Sequence, residues 1–141
     1  MPAGEPLRAA TARIPRAERE RWAPFRQRMD ETVMPRTQAL QQTFRRQGSD
    51  VIHARIGCLL EDGRDRSWSQ KKPGWNDRLL PKDSFDAQIV PELAPEPGEI
   101  VVTKTTDSAL TGTNLRLILS NLGVRHVVLT GIFTDQCVSS K

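Results

Sequence analysis

A chain of 141 residues, 37% hydrophobic and 27% charged, has the composition of an ordinary globular protein with room for one core. No stretch approaches the roughly 20 apolar residues of a membrane-spanning helix, the arginine-rich start lacks the apolar centre of a secretory signal, and Cys58 and Cys137 alone make no disulfide framework, so a cytoplasmic, reducing location is expected. The net charge of +4 is uneven, because residues 1–46 hold ten arginines and five acids, a balance of +5 that leaves −1 for the remainder. Arginine alternates there with Glu18, Glu20 and Trp22, which suits a solvated helix and argues against a nucleic-acid-binding stripe.

In chain order, residues 12–29 read as a charged helix with Pro15 near its first turn. Asp30 reads as a helix N-cap, opening a second helix over residues 31–47 with Pro35 early, apolar Val33, Leu40 and Phe44, and Gly48 as its left-handed stop. Val51 to Ile56 forms a strand. Cys58 to Pro81 is a long loop carrying Arg64, Arg66, Trp68 and Trp75, of a length that often lines a binding site. A short helix from Ser84 to Leu93 ends before Pro95, and Pro95-Glu96-Pro97-Gly98 turns the chain into a strand over Glu99 to Lys104. From Thr113, Leu115, Ile118, Leu119 and Leu122 recur at i, i+3, i+4 and i+7, a core-facing stripe closed by Gly123. The run Val124 to Ile132 is nearly continuously apolar, as in a strand buried on both faces of a parallel sheet. Strands alternating with helices, without repeats, predict an α/β fold.

The chemistry concentrates at two strand ends. Cys137 lies just beyond the strand ending at Ile132, where a helix should begin, and unpaired backbone N–H groups at such a turn favour a thiolate. Lys104 ends the strand before it. In a parallel sheet both strand ends lie at one edge, so Lys104 and Cys137 are expected to meet. His53 and His126 are each isolated, so no metal site is expected, and no cofactor; His53, alternating with Val51, reads as a packed or partly exposed histidine.

Val102-Thr103-Lys104, Ser108, Gly112-Thr113-Asn114-Leu115, Gly123-Val124, Gly131 and Thr134-Asp135-Gln136-Cys137-Val138 together resemble the isochorismatase-like cysteine hydrolases, the family of nicotinamidases, N-carbamoylsarcosine amidase, ureidoacrylate amidohydrolases and biuret hydrolases. The resemblance spans about Thr32 to Ser140. It implies a doubly wound, Rossmann-like parallel sheet flanked by helices, a small amide or ureido substrate, and homo-oligomers among intact relatives. By the same resemblance Cys137 is the nucleophile and Lys104 its cationic helper, the N–H groups of Phe133 and Cys137 hold the oxyanion, and the Ile132–Phe133 peptide is cis. No metal is implied, since the segment where the nicotinamidase branch binds one reads His53-Ala54-Arg55-Ile56-Gly57-Cys58.

The family's first strand, which ends in an aspartate that takes the thiol proton, has no counterpart here: Glu5, Glu18, Glu20, Asp30 and Glu31 all lack a preceding apolar strand. The expectation is an arginine-rich, mainly helical leading segment over residues 1–31 and a partial hydrolase domain over 32–141, without the first strand and the last helix and strand. Such a chain reads as an internal fragment or the product of a truncated frame. The resemblance places that first strand between Val51–Ile56 and His126–Ile132. Its loss leaves backbone groups unpaired at about 1 to 3 kcal/mol each, so either those two strands pair directly, another chain supplies a strand, or the product folds poorly. Catalysis on a small C–N bond is weighed against association with a homologous chain and against an acidic partner for the arginines.

Overall fold

The computed structural model describes residues 15–73 and 79–138; Trp75 and the first residues of the expected leading helix fall outside these. The chain forms two compact units, Met1–Leu40 and Gln41–Lys141.

In the first unit, α1 (Arg16–Arg28) starts at Pro15, has Glu18 in its first turn and carries Arg26 and Arg28 in its last, charges that complement the helix dipole. Trp22 and Phe25 meet edge to face with ring centroids 5.7 Å apart. The expected N-cap at Asp30 is corrected here. Met29 keeps helical dihedrals (φ −61, ψ −53), and Asp30 sits inside a π-helical turn, Met29–Val33, that leads into α2 (Met34–Arg46). The reason is Pro35: it has no N–H for the Glu31 carbonyl and its ring crowds that oxygen, so the ladder widens by one residue instead of breaking. The part of α2 from Gln41 on belongs to the second unit, where the helix closes as expected on Gly48 (φ 68). Ser49 N–H donates to Phe44 O and Gly48 N–H to Arg45 O, each at 3.0 Å, a Schellman stop.

The second unit is built on two parallel strands, β1 (Ile52–Ile56) and β2 (Ile100–Lys104), paired from Ile52 with Ile100 to Ile56 with Lys104. Glu99 leads into β2 and clamps it from below: Arg45 donates to it through two nitrogens at 2.7 and 2.8 Å, and His53 Nε2 lies 3.0 Å away. His53 is thus packed, as expected. The described core is small, with Cys58, Ala87, Val102 and Leu115 buried beside the polar His53, Gln70, Lys104 and Ser108.

Three expectations fail. Ser84 to Leu93 is two 3-10 turns, Phe85–Ala87 and Pro91–Leu93, separated by extended Val90 (ψ 144), because the ring of Pro91 bars its predecessor from helical dihedrals. The helix α3 (Trp68–Lys71) lies in the long loop, which is pinned shut by bridging of Cys58 with Pro81. In α4 (Leu115–Asn121) only Leu115 is buried, and Leu122 beyond it is 48% exposed, so the leucine stripe is not all core.

The third failure is the largest. Val124 to Ile132 joins no sheet, and Val127, Val128 and Leu129 are 53%, 60% and 66% exposed. The sheet does not close by pairing this run with β1: among the described residues it has two strands only. An apolar run becomes a buried strand when a ladder partner and two covering layers exist, and the described residues offer this one no ladder. The result is an incomplete α/β fold.

Candidate active site

Among the described buried polar residues, Lys104 ends β2, Ser108 follows it by four residues, and Gln70 is bonded to Asp107 between them. Lys104 closes β2 with 4% of its surface exposed. Its carbonyl accepts from Gly57 N–H at 3.1 Å, continuing the ladder one step past β1. The chain passes closely here: a Cβ on Gly57 would stand 3.2 Å from Thr103 Cγ2 and 3.3 Å from Lys82 Cα, so a larger residue would push both by a few tenths of an ångström. Beyond it, Cys58 N–H donates to Leu80 O and Lys82 N–H to Cys58 O, both at 2.8 Å. Cys58 is 1% exposed and behaves as a small hydrophobe.

The Lys104 ammonium donates to the carbonyl oxygen of Asp107. No carboxylate lies within ion-pair distance of it among the described residues. A cation kept from water without a counter-charge is costly unless something else answers it. In the loop that follows, Ser108 is buried and its Oγ accepts Leu110 N–H at 3.1 Å, while Thr113 Oγ1 donates to Ala109 O at 2.5 Å and accepts Leu115 N–H, the first of α4, at 3.1 Å.

The long loop folds over the same edge. Asp65 takes the N–H groups of Leu59 and Leu60 at 2.7 and 3.2 Å. Burial pushes its pKa up, but those two bonds, together with its own backbone N–H and the nearby charge of Lys71, hold the carboxyl below its ordinary range. Ser67 N–H donates to Thr105 O at 2.9 Å, and Gln70 Nε2 donates to Asp107 Oδ1 at 2.6 Å. Trp68 points away into solvent, 86% exposed. Sequence reasoning missed Gln70 and Asp107. Only the place of Asp107, three residues after Lys104, offered a signal.

Cys137 sits in a single π-helical turn, Thr134–Val138, half-exposed and in no disulfide. The chain enters this turn through Gly131 (φ 142) and a cis peptide between Ile132 and Phe133. The Phe133 carbonyl accepts from Gln136 and Val138 N–H at 3.1 and 3.2 Å, closing the turn. The structure thus gives a buried ammonium at the end of β2 and a thiol on a tight turn after the apolar run. No hydrogen bond joins the two among the described residues. Those residues also contain no group of three or more His, Cys, Asp or Glu placed to hold a metal ion, and no helix long and apolar enough to cross a membrane.

The isochorismatase domain model matches residues 20–141, which include Lys104 and Cys137. Among solved structures, N-carbamoylsarcosine amidase from Thermoplasma acidophilum is 28% identical with a TM-score of 0.62, over 74% of this chain and 56% of that one. An isochorismatase family protein from Burkholderia thailandensis is 30% identical with a TM-score of 0.64, over 75% of this chain and 54% of its own. A cysteine hydrolase from Pseudomonas syringae pv. phaseolicola is 25% identical with a TM-score of 0.66, over 74% and 48%. The chain therefore spans about half the length of these solved relatives. With the domain model matched over most of its residues, on a two-stranded parallel core of the α/β kind, the chain belongs to the isochorismatase family.

Proposed function

We propose that this chain carries the attacking and charge-stabilising half of a hydrolase acting on the C–N bond of a small amide or ureido compound. Cys137 gives its thiol proton to water, the resulting thiolate bonds to the carbonyl carbon, and the N–H groups of Phe133 and Cys137 receive the oxyanion. The C–N bond then breaks, the amine or ammonia leaves with a proton, and a thioester remains. Water adds to the thioester, releasing the acid and returning the thiol. Lys104 stabilises negative charge in both halves. The carboxylate that accepts the thiol proton in the family has no counterpart among the acids of this chain.

One observation carries the proposal: Lys104 is 4% exposed at a strand end and is answered by a carbonyl rather than a carboxylate. A structural lysine so placed costs stability without return, whereas a site that develops negative charge uses it. The amidase from Thermoplasma acidophilum supports the substrate class. The test is release of ammonia from a panel of small carboxamides and ureido compounds, with the intact mass of the protein read in parallel. Wild type is expected to release ammonia and gain an acyl mass on Cys137, and Cys137→Ser to do neither; hydrolysis that persists in Cys137→Ser sinks the proposal.

A second reading, association with a homologous chain, is favoured by the exposed run Val127, Val128, Leu129, Ile132 and Phe133. An exposed apolar stretch that lies in no described sheet is a template for another strand. Sedimentation velocity is expected to show a dimer or larger species that Val128→Lys returns to monomer. A monomeric wild type at the same concentrations removes this reading.

A further inference from the structure

Gln70 is polar, 3% exposed, and lies on α3, far in sequence from every residue assigned above. Its side-chain amide donates to Asp107 Oδ1 at 2.6 Å. The carbonyl oxygen of the same Asp107 holds the Lys104 ammonium. Two further bonds fix Gln70 in place, its N–H to Ser67 O at 3.0 Å and its carbonyl accepting from Arg66 Nη1 at 3.3 Å.

The arrangement has a chemical consequence. Asp107 follows Lys104 by three residues, and its backbone already touches the ammonium, so its carboxylate is an anion tethered close enough to neutralise that cation. It does not: the carboxylate is turned onto the neutral amide of Gln70, and no ion pair between Asp107 and Lys104 forms. A charged pair in so buried a place would be strong and would leave the ammonium nothing to offer a thiolate or an oxyanion. Resting on the assignment of Lys104 and Cys137 above, we infer that Gln70 is a positioning residue: it holds the Asp107 carboxylate away from Lys104, so that the ammonium keeps its charge for the reacting groups.

The test is the rate of alkylation of Cys137 by iodoacetamide at neutral pH in the full chain, with buried Cys58 as the internal reference for an intact fold. Gln70→Met removes the amide at similar volume and frees Asp107 to pair with Lys104; alkylation is expected to slow roughly tenfold. Adding Asp107→Asn to Gln70→Met removes the competing charge, and the rate is expected to return to within about twofold of wild type. A merely structural Gln70 would not be rescued by that second change. If Gln70→Met makes Cys58 reactive, Gln70→Glu serves instead, since it keeps the size but repels the Asp107 carboxylate. The inference is overturned if Gln70 variants with protected Cys58 alkylate at the wild-type rate, or if Asp107→Asn fails to rescue them. A Lys104→Met control separates the two levels: when that change alone leaves Cys137 unaffected, the underlying assignment is at fault rather than the role of Gln70.

Discussion

Replacing Lys104 by methionine is expected to cut hydrolysis of a small amide by about 100-fold or more, the scale of losing one well-placed donor to a developing oxyanion. Methionine keeps the length of the lysine stem and fills the same buried space at the end of β2. It deletes the charge alone. Because that charge is buried with a carbonyl as its partner, its removal should leave thermal stability unchanged or raise it, as replacing buried ions with packed apolar groups often does. Loss of rate with no loss of stability is the signature of a group kept for chemistry. Parallel measurement of ammonia release and of the thermal midpoint checks both halves. Falling activity accompanied by a falling midpoint would assign Lys104 to the architecture instead.

The second large effect concerns Glu99. Its pKa is lowered to about 2, chiefly by the hydrogen bond from Arg45, against an opposing push from burial and with help from the Glu96 amide and His53. Arg45, Glu99 and His53 are each at most 19% exposed at the side chain, so the cluster is little screened. Glu99→Leu leaves Arg45 and His53 without their acceptor, and a loss of roughly 3 kcal/mol is expected, at the level of breaking a partly buried pair. The pH dependence has a definite sign. A carboxyl whose folded pKa is depressed stabilises the fold fully above its unfolded value, here about 4.5, and the contribution is lost as pH falls toward about 2. Urea unfolding between pH 6 and 2 should therefore show wild type losing stability through that window. In Glu99→Leu the slope should flatten, and parallel curves for the two proteins would contradict this account.

Much of the local fold was legible in the sequence, because it follows from local rules. Gly48 and Gly123 stop helices where a positive φ is needed, and they take it, at 68 and 66. Val102 and Lys104 fell on a strand that the turn at Pro95 to Gly98 announces. Val124 to Ile132 was misread for a physical reason: its apolar character is a local property, but strand formation needs a neighbour, and the described sheet supplies none. Asp30 was misread because Pro35 looked like a helix start, whereas a π turn let the helix pass it. Gln70 and Asp107 lie 37 residues apart. Nothing in periodicity or composition brings such a pair together; only the folding of the long loop onto the end of β2 does.

Alkylation of Cys137 in wild type and in Lys104→Met asks most directly whether the two groups serve one site, since it needs neither substrate nor an acceptor for the thiol proton. With an interaction of about 1.4 kcal/mol between ammonium and thiolate, modest for charges near a protein surface, wild type should react roughly tenfold faster at neutral pH while Cys58 stays silent in both. Equal rates for the two proteins, with Cys58 still protected, would mean that the ammonium and the sulfur do not act together.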